Sequence, residues 1–360
     1  MTFYRFYNRS VICGVFMELV LEQEIKDLIN EKKYTEALKK LENFAPDFDI
    51  HLQKGNVFYE MGQYENAIDS YTMAISIDAS QAKVYNNRGN AKGNLAMYND
   101  AIEDYNKAIE LNPENAEAYF NRGYVYYNSK KYKESISDYD KAIELDTGNF
   151  MAYNNRGNAK NFLKLYESAI SDFDKAIEIK TSHNAYFNRG IAKENINDLK
   201  GAISDFTEAL NLKPNDIQAM LKRGYAKYQD NDLDGAIIDY KNVLDADENN
   251  VDALVSLGIA FHKQQNDTEA IVCFTKAILA DNDCTDAYIN RSIVASTLYN
   301  YKTAENDLLK MFTLDIHRND YLSTYNEIRD ILSTREDEKS IEFLRKVEEL
   351  STQIKPPREV

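Results

Sequence analysis

The chain has 360 residues, enough on length alone for two or three ordinary domains. Its 59 acidic against 43 basic side chains give a formal net charge of −16. That argues against a nucleic-acid surface, whose affinity rests on cations neutralising phosphates, and against a polybasic membrane-surface segment. Hydrophobic residues make up 44%, ample for a core, while 5 Pro and 13 Gly are few for a turn-rich all-β protein. There is no Trp but there are 26 Tyr, a bias that points to one position used repeatedly.

In chain order, the first segment is a leader at 1–17, with Arg5 and Arg9 before an apolar run. The run at 11–17 ends at Glu18, far short of the roughly 20 residues needed to span a bilayer. No small-residue cleavage pattern follows. Three readings stay open: a targeting signal, a disordered leader, or a start at Met17. Cys13, Cys273 and Cys284 are odd in number and lack C-x-x-C spacing, so no disulfide framework or zinc site is expected. The default is a reducing, cytoplasmic compartment.

From residue 18 the sequence repeats itself. YNNRGNAK at 85–92 returns as YFNRGYVY at 119–126, YNNRGNAK at 153–160 and YFNRGIAK at 186–193. Gly55, Gly89, Gly123, Gly157, Gly190, Gly224 and Gly258, then Ser292, recur at a spacing of 34 with a single 33. Each unit reads as two amphipathic helices, for example about 119–129 and 132–145. Apolar Ile136, Tyr139, Ala142 and Ile143 follow helical spacing in the second, and Asn112-Pro113 or Asp146-Thr147-Gly148 punctuates the end.

This pattern resembles the tetratricopeptide repeat, whose 34-residue fingerprint alternates aromatic and small positions before a Pro. In the unit starting at Ala82 these are Tyr85, Gly89, Ala101, Tyr105, Ala108 and Pro113; Lys92 departs from the usual second aromatic. The resemblance implies an all-α, right-handed superhelical solenoid of helix-turn-helix units. We place a degenerate repeat at 18–47, eight repeats at 48–318, capping helices at 319–351 and a tail at 352–360. The eight are 48–81, 82–115, 116–149, 150–182, 183–216, 217–250, 251–284 and 285–318.

Repeats permit comparison within one chain. An Arg precedes the small residue in six of them, at Arg88, Arg122, Arg156, Arg189, Arg223 and Arg291. The matching second helices carry Asp104, Asp138, Asp172, Asp205, Asp239 and Asp307. The other two repeats have Lys54 with Ser70 and Leu257 with Cys273, so Arg and Asp vanish together. Such tracking predicts structural ion pairs, within a repeat or between neighbours. The rival reading is an arginine ladder for an anion.

One residue before each Arg stands a row of amides: Asn87, Asn121, Asn155, Asn188 and Asn290, interrupted by Lys222 and Ser256. A second row holds Asn56, Asn90, Tyr124 and Asn158. An amide both donates and accepts, so it can hold an extended backbone without reading its side chains. These rows resemble the asparagine ladder of O-linked N-acetylglucosamine transferase superhelices, which implies a concave peptide groove; no transferase domain is present. Phe120, Tyr127 and Phe187 are candidate apolar pockets there, and Lys83, Lys222 and Lys263 candidate side-chain selectors. The competing reading is that Asn-Arg-Gly is a packing habit of this repeat subfamily. The carboxylate clamp of heat-shock co-chaperones is a poor match, since Leu52, Glu117 and Asn121 replace its cations.

No catalytic constellation appears. His51, His183, His262 and His317 fall in separate units without metal-ligand spacing, and no phosphate loop or nucleophile elbow is present. The expected protein is a non-catalytic adaptor or scaffold, with no metal or cofactor, that binds another protein or peptide. The alternative is an assembly subunit docking through caps or outer face, with a homo-oligomer left open.

Overall fold

The structure is a computed structural model, and it describes residues 20–314 and 318–352. The expected leader at 1–17, the tail beyond Thr352, Cys13 and His317 lie outside the described residues. Among the described residues there are helices and no strands. Helix α1 covers 20–30 and is followed by α2, Tyr34–Leu41. Then come α3 (Phe48–Glu60) and α4 (Tyr64–Ile77), α5 (Ala82–Asn94) and α6 (Tyr98–Leu111), α7 (Ala116–Asn128) and α8 (Tyr132–Leu145), α9 (Phe150–Phe162) and α10 (Tyr166–Ile179). The second half holds α11 (His183–Asn195) and α12 (Leu199–Leu212), α13 (Ile217–Gln229) and α14 (Leu233–Ala246), α15 (Val251–Lys263) and α16 (Asp267–Ala280), α17 (Thr285–Thr297) and α18 (Tyr301–Thr313). Helices α19 (Arg318–Ser333) and α20 (Glu338–Thr352) end it. The chain divides into two compact bodies, Met1–Thr181 and Ser182–Val360.

Local chemistry sets the helix boundaries. Asp47, Asn115, Asn149, Ser182, Asp216 and Asn250 are N-caps whose side chains accept from the backbone N–H three residues on. Between the two helices of each repeat the chain turns through one left-handed residue: Gly62, Ala96, Lys130, Lys164, Asn197, Asn231, Gln265 and Tyr299. The backbone bonds Ala96 N–H to Gly93 O and Met97 N–H to Lys92 O close the first helix of the second repeat around that residue.

A register of sixteen residues then locks the pair. The second-helix aromatic lies on the first-helix glycine, and a Cβ on Gly89, Gly157, Gly190 or Gly224 would meet that ring at 2.7 Å. Tyr105, Phe173, Phe206 and Tyr240 are all buried by this contact. Where a Cβ is present the ring is gone: Ser292 faces position 308, a buried Leu, and Ile25 precedes Leu41 by the same sixteen residues. Small Ala residues, such as Ala101, Ala108 and Ala118, are fully buried and let neighbouring helices approach.

In the second body α19 and α20 cover the end of the last repeat. Ile328, Leu332, Phe343 and Val347 join Leu308 and Met311 in one buried cluster. Arg335 donates to the carbonyls of Ser296 at 2.7 Å and Thr297 at 2.9 Å, satisfying the C-terminal end of α17, and its guanidinium lies over Tyr299 at 3.9 Å.

Candidate functional site

Each of the six arginines grips the aspartate of its own repeat in a two-bond fork. Arg88 reaches Asp104 at 2.8 and 2.6 Å, Arg122 reaches Asp138 at 2.7 and 2.6 Å, and Arg156 reaches Asp172 at 3.0 and 2.6 Å. Arg189–Asp205, Arg223–Asp239 and Arg291–Asp307 repeat the geometry at 2.6–2.9 Å. The third guanidinium nitrogen turns to the preceding repeat. Arg122 donates to Asn106, Arg156 to Asp140, and Arg88 to Thr72 at 3.1 Å. The pair therefore joins two helices within a repeat and also ties it to its neighbour.

Lys92, Lys160, Lys193 and Lys227 add a second cation to the same aspartates at 2.7–2.8 Å. This explains the Lys that stands where the fingerprint has an aromatic. Asp138 and Asp307 lack that lysine, because Tyr126 and Ala295 occupy the position. Burial holds both carboxyls above the ordinary range, outweighing the arginines that pull them down. With every fork filled internally, the column offers little to an anionic ligand.

The amides behave differently. In the first body the first helices of successive repeats touch one another, and their exposed faces form two clefts. The smaller, about 290 Å³, is lined by Gln53, Asn56, Asn87 and Asn90 together with Lys26 and Glu60. The larger, about 600 Å³, adjoins it at Tyr59 and Asn90 and runs past Phe120, Asn121 and Tyr124 to Asn155. Thus Asn56, Asn87, Asn90, Asn121, Asn155, Phe120 and Tyr124 are brought to one face.

These amides are also wired into the fold. The Tyr71 hydroxyl and Asn87 Nδ2 both donate to Asn56 Oδ1, at 2.9 and 3.1 Å. The Tyr105 hydroxyl donates to Asn90 Oδ1 at 2.8 Å. Asn121 Nδ2 donates to Asn86 Oδ1 at 3.2 Å, and Asn154 Nδ2 donates to Asn155 Oδ1 at 3.3 Å. Burial raises the Tyr71 and Tyr105 phenols, keeping them protonated donors. The row is part packing device and part open surface.

Other expected residues fall elsewhere. Tyr127 is not on the cleft walls; it packs with Tyr132 and Phe162 at 5.6 and 5.7 Å between centroids. Phe187 sits on Phe206 at 5.7 Å and against the His183 ring, inside its own repeat. Asn290 Nδ2 donates to the Asp286 carbonyl of its own helix at 2.7 Å. Lys222 pairs with Glu194 at 3.2 Å. Asn158 and Asn188 are half-buried on α9 and α11, outside both clefts. Sequence reasoning missed Tyr59, Asn94, Tyr98, Asn128 and Met151, all of which line the larger cleft. Asn94 and Asn128 stand five residues after their repeat's glycine, so a third row existed to be read.

Comparison with known families settles the class. The model described as "TPR repeat" matches 55–95, 97–130 and 224–265, and models described as "Tetratricopeptide repeat" match 116–149, 152–183, 183–216 and 251–284. The chain belongs to the tetratricopeptide repeat family. Its fold is similar to the C-terminal part of a TPR repeat-containing protein from Cytophaga hutchinsonii (19% identity, 66% of this chain and 98% of that one, TM-score 0.56). It is also similar to a tetratricopeptide repeat protein from Parabacteroides merdae (18%, 69% and 98%, TM-score 0.51). YrrB, described as a TPR protein with an unusual peptide-binding site, is 27% identical over 52% of this chain and 96% of that one, with a TM-score of 0.47. No curated protein matches the chain in sequence. As a repeat scaffold of this family the chain is suited to protein interaction. No helix among the described residues is long and apolar enough to cross a membrane.

Proposed function

We propose that this protein is a non-catalytic adaptor that holds an extended segment of another protein on the first-helix face of its N-terminal body. The observation that carries this is the larger cleft, where side chains from four successive repeats, Tyr59, Asn90, Tyr124 and Asn155, converge on one open space. Asn90 has its oxygen occupied by an internal donor, which leaves its Nδ2 group to donate outward. Asn121 and Asn94 spend their nitrogens internally, which leaves oxygens to accept. A strand of peptide carries both kinds of group and can use both. The groove is preformed, so the ligand bears most of the ordering entropy.

The test is affinity capture from native lysate with wild type and with a Tyr124→Ala/Asn128→Ala variant, both exposed residues whose loss spares the internal network. Circular dichroism verifies folding. A folded variant that loses a specific partner supports the groove. Retention of every partner contradicts it and favours docking through other faces.

A further inference from the structure

We infer that the larger cleft selects an uncharged segment bearing an aromatic side chain, and that Met151 is the residue that sets this preference. The inference rests on the groove reading above and names its ligand class. In a chain with 28% charged residues, no described residue lining this cleft carries a charge. A charged side chain entering it would be desolvated against rings and amides, and the one carboxylate near its wall, Glu117, already accepts from Asn86 and Asn121.

Met151 supplies the second, independent observation. It stands at the second position of its repeat and is 50% exposed. Sister repeats have Asp49, Lys83, Glu117, Asn184, Gln218, Asp252 and Asp286 there, polar in every case. The position therefore tolerates charge, and packing does not explain a lone apolar residue. Tyr124, 51% exposed, and Phe120 line the same cleft. A flexible thioether beside two rings forms a seat for an aromatic group, which gains sulfur–aromatic and edge-to-face contacts.

The probe is a fluorescein-labelled, end-blocked octapeptide of Ser, Thr and Gln with one central Phe, compared with the same peptide carrying Ala, Glu or Arg there. Anisotropy titration of the full chain should show the Phe peptide binding at least about ten-fold more tightly than the Glu and Arg peptides, the equivalent of 1.4 kcal/mol. Met151→Lys, which copies the residue of the second repeat, should remove the Phe preference and favour the Glu peptide. Equal binding of all four peptides, weakened together by Tyr124→Ala, would overturn the selectivity while leaving the groove reading standing. Binding that ignores both Met151→Lys and Tyr124→Ala would overturn both. Absence of binding by the Phe peptide overturns this inference alone, since capture from lysate tests the groove separately.

Discussion

In the second repeat Arg88 on α5 forks onto Asp104 on α6; in the seventh the same two positions hold Leu257 and Cys273, buried together in one apolar cluster. The N-terminal pair offers a third solution, with the charges exchanged between Glu24 and Lys40. Fork, apolar contact and reversed pair all fill one joint sixteen residues across. In these three the two sides match and neither charge is indispensable, whereas the first repeat sets Lys54 against Ser70, whose hydroxyl turns to the Asn66 carbonyl. A ligand-binding arginine ladder would require the cation and be indifferent to the partner.

The comparison is sharpest where one partner alone is removed. Asp239 is fully buried and faces both Arg223 and Lys227. Asp239→Ala should destabilise the protein by about 3–5 kcal/mol, because two cations lose their counter-charge. The triple change Arg223→Leu, Lys227→Phe and Asp239→Cys copies Leu257, Phe261 and Cys273 of the seventh repeat and should cost less than half as much in urea unfolding. Equal losses would mean that matching is not the principle. Next in size is Gly190→Ala, which drives a methyl to 2.7 Å from the Phe206 ring. It should cost about 1–3 kcal/mol. Adding Phe206→Leu, as the eighth repeat does with Ser292 and Leu308, should recover much of that in thermal unfolding.

A smaller effect separates forks with and without a lysine. Asp138 is raised above the ordinary carboxylate range by burial. The folded chain then keeps a proton that the unfolded chain has released, so this contribution is fully present below the ordinary carboxylate pKa and is lost as pH rises through the raised value. Carbon-detected NMR titration should place the Asp138 midpoint above that of exposed aspartates, and Tyr126→Lys, which supplies the missing cation, should bring it down. The smallest expected change is at the turn, where the first repeat has Gly62 and the second Ala96, both at positive φ. Ala96→Gly should change stability by less than about 1 kcal/mol in the stabilising direction, since relief of left-handed strain is partly offset by backbone entropy.

The period of 34 made the architecture legible, because glycine, ring and alanine recur wherever two helices must approach closely. The partnership of Arg with Asp was legible for the same reason, since the two residues change together. Its second arm, from Arg156 to Asp140 of the preceding repeat, was not, because position 140 varies among Thr, Asn, Asp, Lys and Leu across repeats. The cleft was legible in part. Asn90 and Asn155 recur visibly, but their side chains also serve Tyr105 and Asn154, and sequence spacing cannot say which end of an amide faces out. Met151 escaped notice because a repeat-minded reading weighs what recurs, and this residue matters by not recurring.

The central claim is that partners engage the first-helix face of the N-terminal body while the ion-pair column only holds the repeats together. Site-specific photo-crosslinking tests it most directly, with benzoylphenylalanine placed at Tyr124 in the cleft or at Lys107, partly exposed on α6. The account predicts a discrete crosslinked partner from position 124, lost when Met151→Lys is introduced, and none from position 107. Crosslinks from 107 with none from 124 would contradict it.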